Sequence, residues 1–522
     1  MTPRGAIAAG CAIALATIAA HAPAWRGAFV LDDITEIAEN PAIRVLWPPW
    51  VPMMEGTPMP HRPLPYYTFA LNYALHGLDP RGYHAVNLAI HLANGWLAWW
   101  VAREVLRRLG VGDAAGGIAL AATTLWLVHP LCTQAVDYVY QRIESLAALA
   151  IIGTVACFLR AADSPRPTAW LAASVAASAG GMLCKEHVAA APVAVLLIDW
   201  LAGKKGSGTF CRSPQATRPR PEAGVCRQKV PDPFFHAFLF ATPLIAVAVV
   251  ALQRDRFTDF KQTLAGPLLY AANQPLVIGE YLARAVWPAP LCIDWYRLPI
   301  ENPLLLAPGI VAIVGALGLA AWGVRHARGL ALAILLFLAL LAPTSSVLPV
   351  NDLMVEHRMY LPLFVVCVGL CAAAYALMAR HLAANRCRSV GVGITMVVGL
   401  ALAITTWNRC HAYQSRLVMW ADVVTKSPGN PQGWQTLALE LLQVGDLRHA
   451  LEAVDRSLAL VPQAPMSQLT RAGILLELGQ AGEAVAAADR ALALDPGLAD
   501  ARRVRAAAIE ALQKPVDAPG TK

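Results

Sequence analysis

The feature that most narrows what this chain can fold into is a succession of apolar blocks, each about as long as a bilayer is thick. Residues 5–23, 84–102, 114–131, 144–161, 168–184, 187–203, 233–252, 303–324, 330–348, 360–379 and 390–407 all approach the ~20 residues that a helix needs to cross hydrocarbon. Of the 522 residues, 57% are hydrophobic and 15% charged, and mean hydropathy is +0.49. That balance excludes a disordered chain and argues against an ordinary soluble one. The expected fold is all-α: a polytopic helical membrane domain of about 11 spans. The first block also reads as a secretory signal, because Arg4 precedes it and "AHAPA" mimics a cleavage site. The many blocks that follow favour a retained span.

Residues 267–287 are apolar but carry Asn273, Gln274, Glu280 and Arg284. Treated as re-entrant or interfacial, they leave the other spans alternating. The N-terminus and segments 103–113, 160–167, 204–232, 325–329 and 380–389 then fall on one side with eighteen Lys and Arg, against twelve in the longer opposite side. The positive-inside rule makes the first side cytoplasmic. It also explains a net charge of +8 without invoking nucleic acid, and no nucleic-acid partner is expected. Loop 204–232, rich in Gly, Ser, Pro and seven Lys/Arg, reads as a cytoplasmic linker. The eleven Cys show no C-x-x-C and no Cys/His metal spacing, so neither a disulfide framework nor a structural zinc site is expected.

After the last span the pattern changes. Residues 431–464 and 465–498 align at a period of 34: Gly445 matches Gly479, Ala450 matches Ala484, Pro462 matches Pro496, and "RSLALVP" matches "RALALDP". Small residues at those offsets let two helices of a hairpin pack, and the Pro closes the unit. This is the tetratricopeptide pattern, with 499–513 as a capping helix. The expected organisation is a membrane domain over 1–410, a connector over 411–430, and a short α-solenoid over 431–522. An odd number of spans places the repeats outside the cytoplasm.

Four polar patches fall at span ends on that outer side. The first holds Asp32 and Asp33, with "HRPLPYYTFALN" (including His61 and Arg62) and "GYHAVNLAIHLAN" (including His91). The second is "HPLCTQAVDYVYQRIESLAAL", with His129, Arg142 and Glu144. The third is "CKEHVAAAP", with Lys185 and Glu186. The fourth is "NDLMVEHRMYLP", with Glu356 and Arg358. Charges near helix ends snorkel cheaply to the interface, and Asp is a good helix N-cap, so each patch alone has a structural explanation. Lys185–Glu186 resists it: a charge at mid-bilayer costs roughly 2.5–3.5 kcal/mol on insertion scales, and almost no loop surrounds the pair. Taken together, carboxylates at 32 and 33 accept a proton from an attacking hydroxyl. Arg62, Arg142, Lys185 and Arg358 neutralise a phosphate. Glycosyl transfer from a lipid-phosphate sugar needs both, with His61, His91, His129, Glu144, Glu186 and Glu356 in support. The outer ligands form no close set of three or more by spacing, so no metal site is assigned and a divalent ion is left open. Trp99–Trp100, Tyr66–Tyr67, Trp25 and Trp47 fit interfacial aromatic belts. Trp295 and Tyr296 are candidates for stacking on a sugar.

The ordered fragments "FVLDD", "HRPL…FALN", "HAVNLAIHLAN", "HPL…AVDYVYQRIESLA", "CKEHVAAAP" and "EHRMYLP", with the two repeats, resemble the membrane O-mannosyltransferases that carry C-terminal tetratricopeptide repeats, within the GT-C glycosyltransferase class. The resemblance implies a GT-C-like fold and a polyprenyl-phosphate-linked sugar as donor, with mannose as the sugar. Protein Ser/Thr hydroxyls on the outer face are the implied acceptors, bound through the repeat groove. It makes Asp32 and Asp33 the catalytic motif, with Asp32 favoured as the base and Asp33 as its acceptor-orienting neighbour, two roles that the sequence itself does not separate. The family's Glu after "HP-x-x-T" is Gln134 here, its "GR-x-D" becomes Gln141, Arg142, Ile143 and Glu144, and the array is short. The short array points to a bacterial inner membrane, with the repeats on the periplasmic side. The competing readings are a multi-span transporter, and a repeat scaffold on an inactive membrane domain.

Overall fold

The computed structural model describes residues 3–54, 62–203, 233–245, 266–346 and 352–513. The basic loop 204–232 and His61 lie outside them. Among the described residues every regular element is a helix. The chain divides into two compact units. One comprises Met1–Ala289 and Leu298–His411, the other Pro290–Arg297 and Ala412–Lys522.

In the first unit, helices lie where the apolar blocks fall, and five are long and apolar enough to cross a membrane: Ala8–Arg26, Val139–Ala161, Pro303–His326, Glu356–Met378 and Ala384–Tyr413. A sixth candidate is bent by 58° between Gly112–Leu127 and Pro130–Val136. The cause is local. Pro130 has no N–H to continue the ladder, and His129 caps the new turn by accepting the Leu131 N–H on Nδ1 at 3.2 Å. Others of the eleven expected spans are helical but short. Pro167–Met182 has 16 residues, Ala190–Ala202 13 and Arg328–Leu341 14, below the ~20 of a straight crossing. Pro267–Val286 is a continuous helix with Pro275 inside it, and it is not among the candidate spans.

One apolar core joins Val155, Leu159, Val195, Ile198, Phe235, Leu239 and Leu332, with Phe158 stacked on Phe235 at 5.8 Å. Gly181 allows a close crossing: a Cβ there would sit 2.5 Å from the Cβ of Ala150 and 2.8 Å from Val188. Between apolar helices, short polar side chains supply the specific contacts. Ser174 donates to the Thr154 carbonyl at 2.8 Å, and Asn94 to the Ser145 carbonyl at 2.8 Å.

The second unit is a stack of antiparallel helices: Arg416–Lys426, Pro431–Gln443, Leu447–Leu460, Pro465–Glu477, Ala481–Leu494 and Ala499–Gln513. The period of 34 reappears as geometry. Ala450 and Ala484 are fully buried where paired helices meet. Asp455 pairs with Arg471, and 34 residues later Asp489 pairs with Arg505. Gly445 and Gly479 serve a different purpose from the close packing expected of them. They take φ of +80° and +75°, and a Cβ on either would meet nothing within 4 Å. They are needed to end helices in the left-handed conformation. Segment Pro290–Arg297 joins this unit through Asp294, which accepts from Asn430 Nδ2 at 2.9 Å. The Tyr296 N–H also points to Ser427 Oγ at 3.4 Å. Trp295 is buried there with the Arg297 guanidinium 5.6 Å from its ring.

Candidate active site

The "FVLDD" segment leaves the first helix through a short turn, Ala22–Arg26, and then reverses sharply. Leu31 takes φ +48°, a left-handed conformation that costs a non-glycine residue about 1–3 kcal/mol and persists only when its surroundings over-determine it. Asp33 supplies that constraint. Its Oδ2 accepts from Val30 N at 3.0 Å and its Oδ1 from Tyr140 N at 2.6 Å, and it is fully buried. Asp33 precedes the helical turn Ile34–Ala38 but makes no side-chain cap there. Burial pushes its carboxyl well above the ordinary carboxylate range. Asp32's charge adds to that, while backbone N–H donors oppose it.

Asp32 is exposed. Its N–H donates to Tyr138 Oη at 2.9 Å, and its carboxylate also engages that hydroxyl, so Tyr138 holds both the backbone and the side chain. The two adjacent acids therefore occupy opposite environments: one ties the loop to residues 139–140, and the other is presented to the surroundings.

Around Asp32 lies a group that sequence reasoning missed. Glu36 is buried and accepts a hydrogen bond from Tyr66 Oη. Burial is the main cause that raises its carboxyl, and Asp32 reinforces it. The Tyr66 hydrogen bond and the Arg62 charge pull it back. Tyr66, expected in an interfacial belt, is fully buried. The signal available was "TEIAEN" one turn past the aspartates, but its partner lies 30 residues away.

The cations follow. Half-buried Arg62 grips exposed Glu186 in a two-pronged pair, Nη2 to Oε1 at 2.8 Å and Nε to Oε2 at 3.2 Å. Lys185 is buried on Glu144, Nζ to Oε2 at 2.5 Å, and His187 Nε2 lies 3.3 Å from the other oxygen of Glu144. This answers the cost of placing Lys185 between two apolar helices: the charge is paired inside the bundle. Arg358 is buried, donating to the Asp352 carbonyl at 2.7 Å and to Tyr270 Oη at 3.2 Å. Arg62, Lys185, His187 and Arg358 all lie within electrostatic reach of His357. Glu144, His187 and Arg358 line one small cavity with Thr344, Leu340 and Pro362. On the other side, Asp32, Glu36 and Arg62 all lie within electrostatic reach of Tyr140.

Arg142 sits elsewhere. Its Nε donates to Asn87 at 2.6 Å, its Nη2 to the Tyr83 carbonyl at 3.1 Å, and its Nη1 to Thr68 at 3.3 Å. The guanidinium also lies 4.8 Å from the Phe69 ring centre. All three nitrogens serve internal neutral groups, so Arg142 joins helices and does not belong to the cation group. Three supporting candidates likewise have internal partners. His91 bridges Tyr360 Oη at 2.7 Å and the Leu127 carbonyl at 3.1 Å. His129 holds Ala285 as well as Leu131. Glu356 is fully buried 3.9 Å from Arg409. Gln134 accepts the His357 N–H on Oε1 at 2.7 Å, a bond that a Glu would make equally well, so that departure from the family pattern preserves the contact.

Among known proteins, the chain is similar to the protein O-mannosyl-transferase Tmtc3 of Drosophila melanogaster, 31% identical over 34% of this chain and 22% of that protein. It is 23% identical to the protein O-mannosyl-transferase TMTC3 of Homo sapiens, over 81% of this chain and 48% of that protein. It is also 24% identical to the protein O-mannosyl-transferase F38B6.6 of Caenorhabditis elegans, over 77% and 56%. The resemblance seen in the ordered fragments is thus shared by most of the chain's length. The chain spans about half the length of the human and nematode relatives, and less of the fly one. No family profile and no solved structure matches it.

Proposed function

We propose that this integral membrane protein moves a sugar, mannose, from a polyprenyl-phosphate donor to a hydroxyl of a protein acceptor. The observation that carries the reading is an exposed carboxylate, Asp32, held on a latched and strained turn that shares the surroundings of Tyr140 with Arg62, while Arg62 shares those of His357 with Lys185 and Arg358. The named relatives supply the sugar and the class of acceptor.

Each residue then has a definite part in the chemistry. Asp32 takes the proton of the acceptor hydroxyl as its oxygen attacks the sugar C1. The bond from C1 to the phosphate oxygen breaks, and the polyprenyl phosphate leaves with the negative charge. Arg62, Lys185 and Arg358 supply the positive charge that a phosphate anion can engage. Glu186 is exposed and is the carboxylate best placed to yield Arg62 to a phosphate. The bilayer holds the prenyl tail, and the repeat unit holds the acceptor protein. The charge asymmetry of the loops supports an outer-face site for the chemistry and the repeats, periplasmic in a bacterium.

The test uses purified full-length protein in lipid nanodiscs, polyprenyl-phosphate mannose labelled in the sugar, and Ser/Thr-containing peptides. Label appearing on peptide, and absent when free mannose carrying the same label replaces the polyprenyl-phosphate donor, is expected. Absence of transfer to any peptide or protein extract, with solute flux through proteoliposomes, would replace this reading with a transporter.

A further inference from the structure

At the end of the first helix, three side chains from distant parts of the chain converge on one point. His21 closes that helix, Asp137 follows the bent span, and Cys410 closes the helix Ala384–Cys410. All three are buried: 3%, 4% and 0% exposed. His21 Nδ1 lies 2.9 Å from each oxygen of Asp137. Cys410 Sγ lies 3.1 Å from Asp137 Oδ2 and 4.0 Å from His21 Nδ1. One ligand atom from each falls within 4.8 Å of the others. We propose that His21, Asp137 and Cys410 form a binding site for a divalent transition-metal ion of the zinc type.

The donor set argues for that class. One imidazole nitrogen, one carboxylate oxygen and one thiolate are a borderline-soft combination that suits Zn²⁺ and its analogues over Mg²⁺ or Ca²⁺, which take oxygen ligands. An ion about 2.0–2.3 Å from each atom in tetrahedral geometry holds them roughly 3.3–3.8 Å apart. The observed triangle brackets that spacing, so binding requires adjustments below an ångström. On binding, the Cys410 thiol loses its proton to water, and its hydrogen bond to Asp137 is replaced by two bonds to the metal. A tetrahedral ion needs one more ligand. Buried His84 stands within electrostatic reach of Asp137. Neither of its ring nitrogens makes a full hydrogen bond, although one approaches the Gly27 backbone.

The second nitrogen of His21, Nε2, is also buried without a hydrogen-bond partner. The site would clamp the ends of two candidate spans, Ala8–Arg26 and Ala384–Tyr413, to the short turn after a third, and so fix the start of the segment that carries Asp32.

The test reads metal directly and does not depend on transferase activity. Full-length protein is purified in detergent without chelator, and zinc is measured by plasma mass spectrometry. One equivalent per chain is expected, falling at least tenfold in Cys410→Ser and Asp137→Asn and unchanged in Cys11→Ser, whose thiol is exposed elsewhere. Because those variants can fail to fold, the wild type is also stripped and titrated with Co²⁺. A near-ultraviolet thiolate-to-cobalt band saturating at one equivalent supports the site. Wild-type protein that carries no zinc and develops no such band, or zinc content unaltered in folded Cys410→Ser, overturns it.

Discussion

Polar side chains do opposite kinds of work in the two units. In the membrane unit they are buried and joined across long stretches of sequence: Lys185 to Glu144 over 41 residues, Arg142 to Asn87 over 55, His91 to Tyr360 over 269. In the repeat unit one buried acid, Glu440, pairs with Arg416, but the pairs that recur with the repeat are more exposed, Asp455–Arg471 and Asp489–Arg505 each spanning 16 residues. A buried pair fixes geometry, because neither partner can turn to water. An exposed pair contributes little, because water and salt compete for both ends. The lesson is that buried charge joins distant segments in the membrane unit, whereas the charge pairs that recur in the repeats lie at the surface of a stack held together by alanine packing.

The contrast can be tested from its strongest point downward. Lys185→Met strips Glu144 of its closest partner, and breaking a buried pair costs about 3–5 kcal/mol; the thermal midpoint in detergent should fall sharply. Asp33→Ala leaves the buried N–H groups of Val30 and Tyr140 unsatisfied, at roughly 1–3 kcal/mol each, and lets Leu31 relax. Chemical denaturation should report the loss, and limited proteolysis should show new cleavage near residue 31.

Glu36 gives a pH signature. Its folded carboxyl is raised, chiefly by burial, so the folded state holds that proton more tightly than the unfolded one. Its stabilising contribution is present below the ordinary carboxylate range and is lost as pH rises through the raised value. Glu36→Gln should flatten the fall of the thermal midpoint with rising pH in that window. Asp33 shifts in the same direction, so some slope remains; an unchanged slope would remove Glu36 from the account. The smallest effect is expected in the repeats: Arg505→Ala should cost at most about 1 kcal/mol, and a larger loss would overturn the contrast between the two units.

Much of the fold was legible because it is written locally. Apolar blocks specify helices, and a period of 34 specifies the repeat hairpins. The "FVLDD" and "CKEH" patches were visible as charges where a membrane helix tolerates few. What the sequence does not carry is which patch meets which. Lys185 was noticed beside Glu186, but the structure pairs it with Glu144 and gives Glu186 to Arg62. Arg142 looked like a phosphate ligand because nothing in a one-dimensional string shows that Asn87, Thr68 and Tyr83 surround it. His21, Asp137 and Cys410 show no metal-ligand spacing along the chain, because these residues lie 116 and 273 positions apart. The roles of Gly445 and Gly479 were misjudged for a related reason: a conserved offset between repeats is the same whether a glycine serves packing or a left-handed turn.

The central claim is that two neighbouring acids have divided duties, Asp33 holding the turn and Asp32 taking the proton. The most direct measurement compares Asp32→Asn and Asp33→Asn in nanodiscs, each read for sugar transfer to peptide and for thermal midpoint. Asp32→Asn should lose about 10²–10⁴-fold in turnover, the usual contribution of a general base, while melting like the wild type; Asp33→Asn should melt earlier. Wild-type turnover in Asp32→Asn would contradict the account.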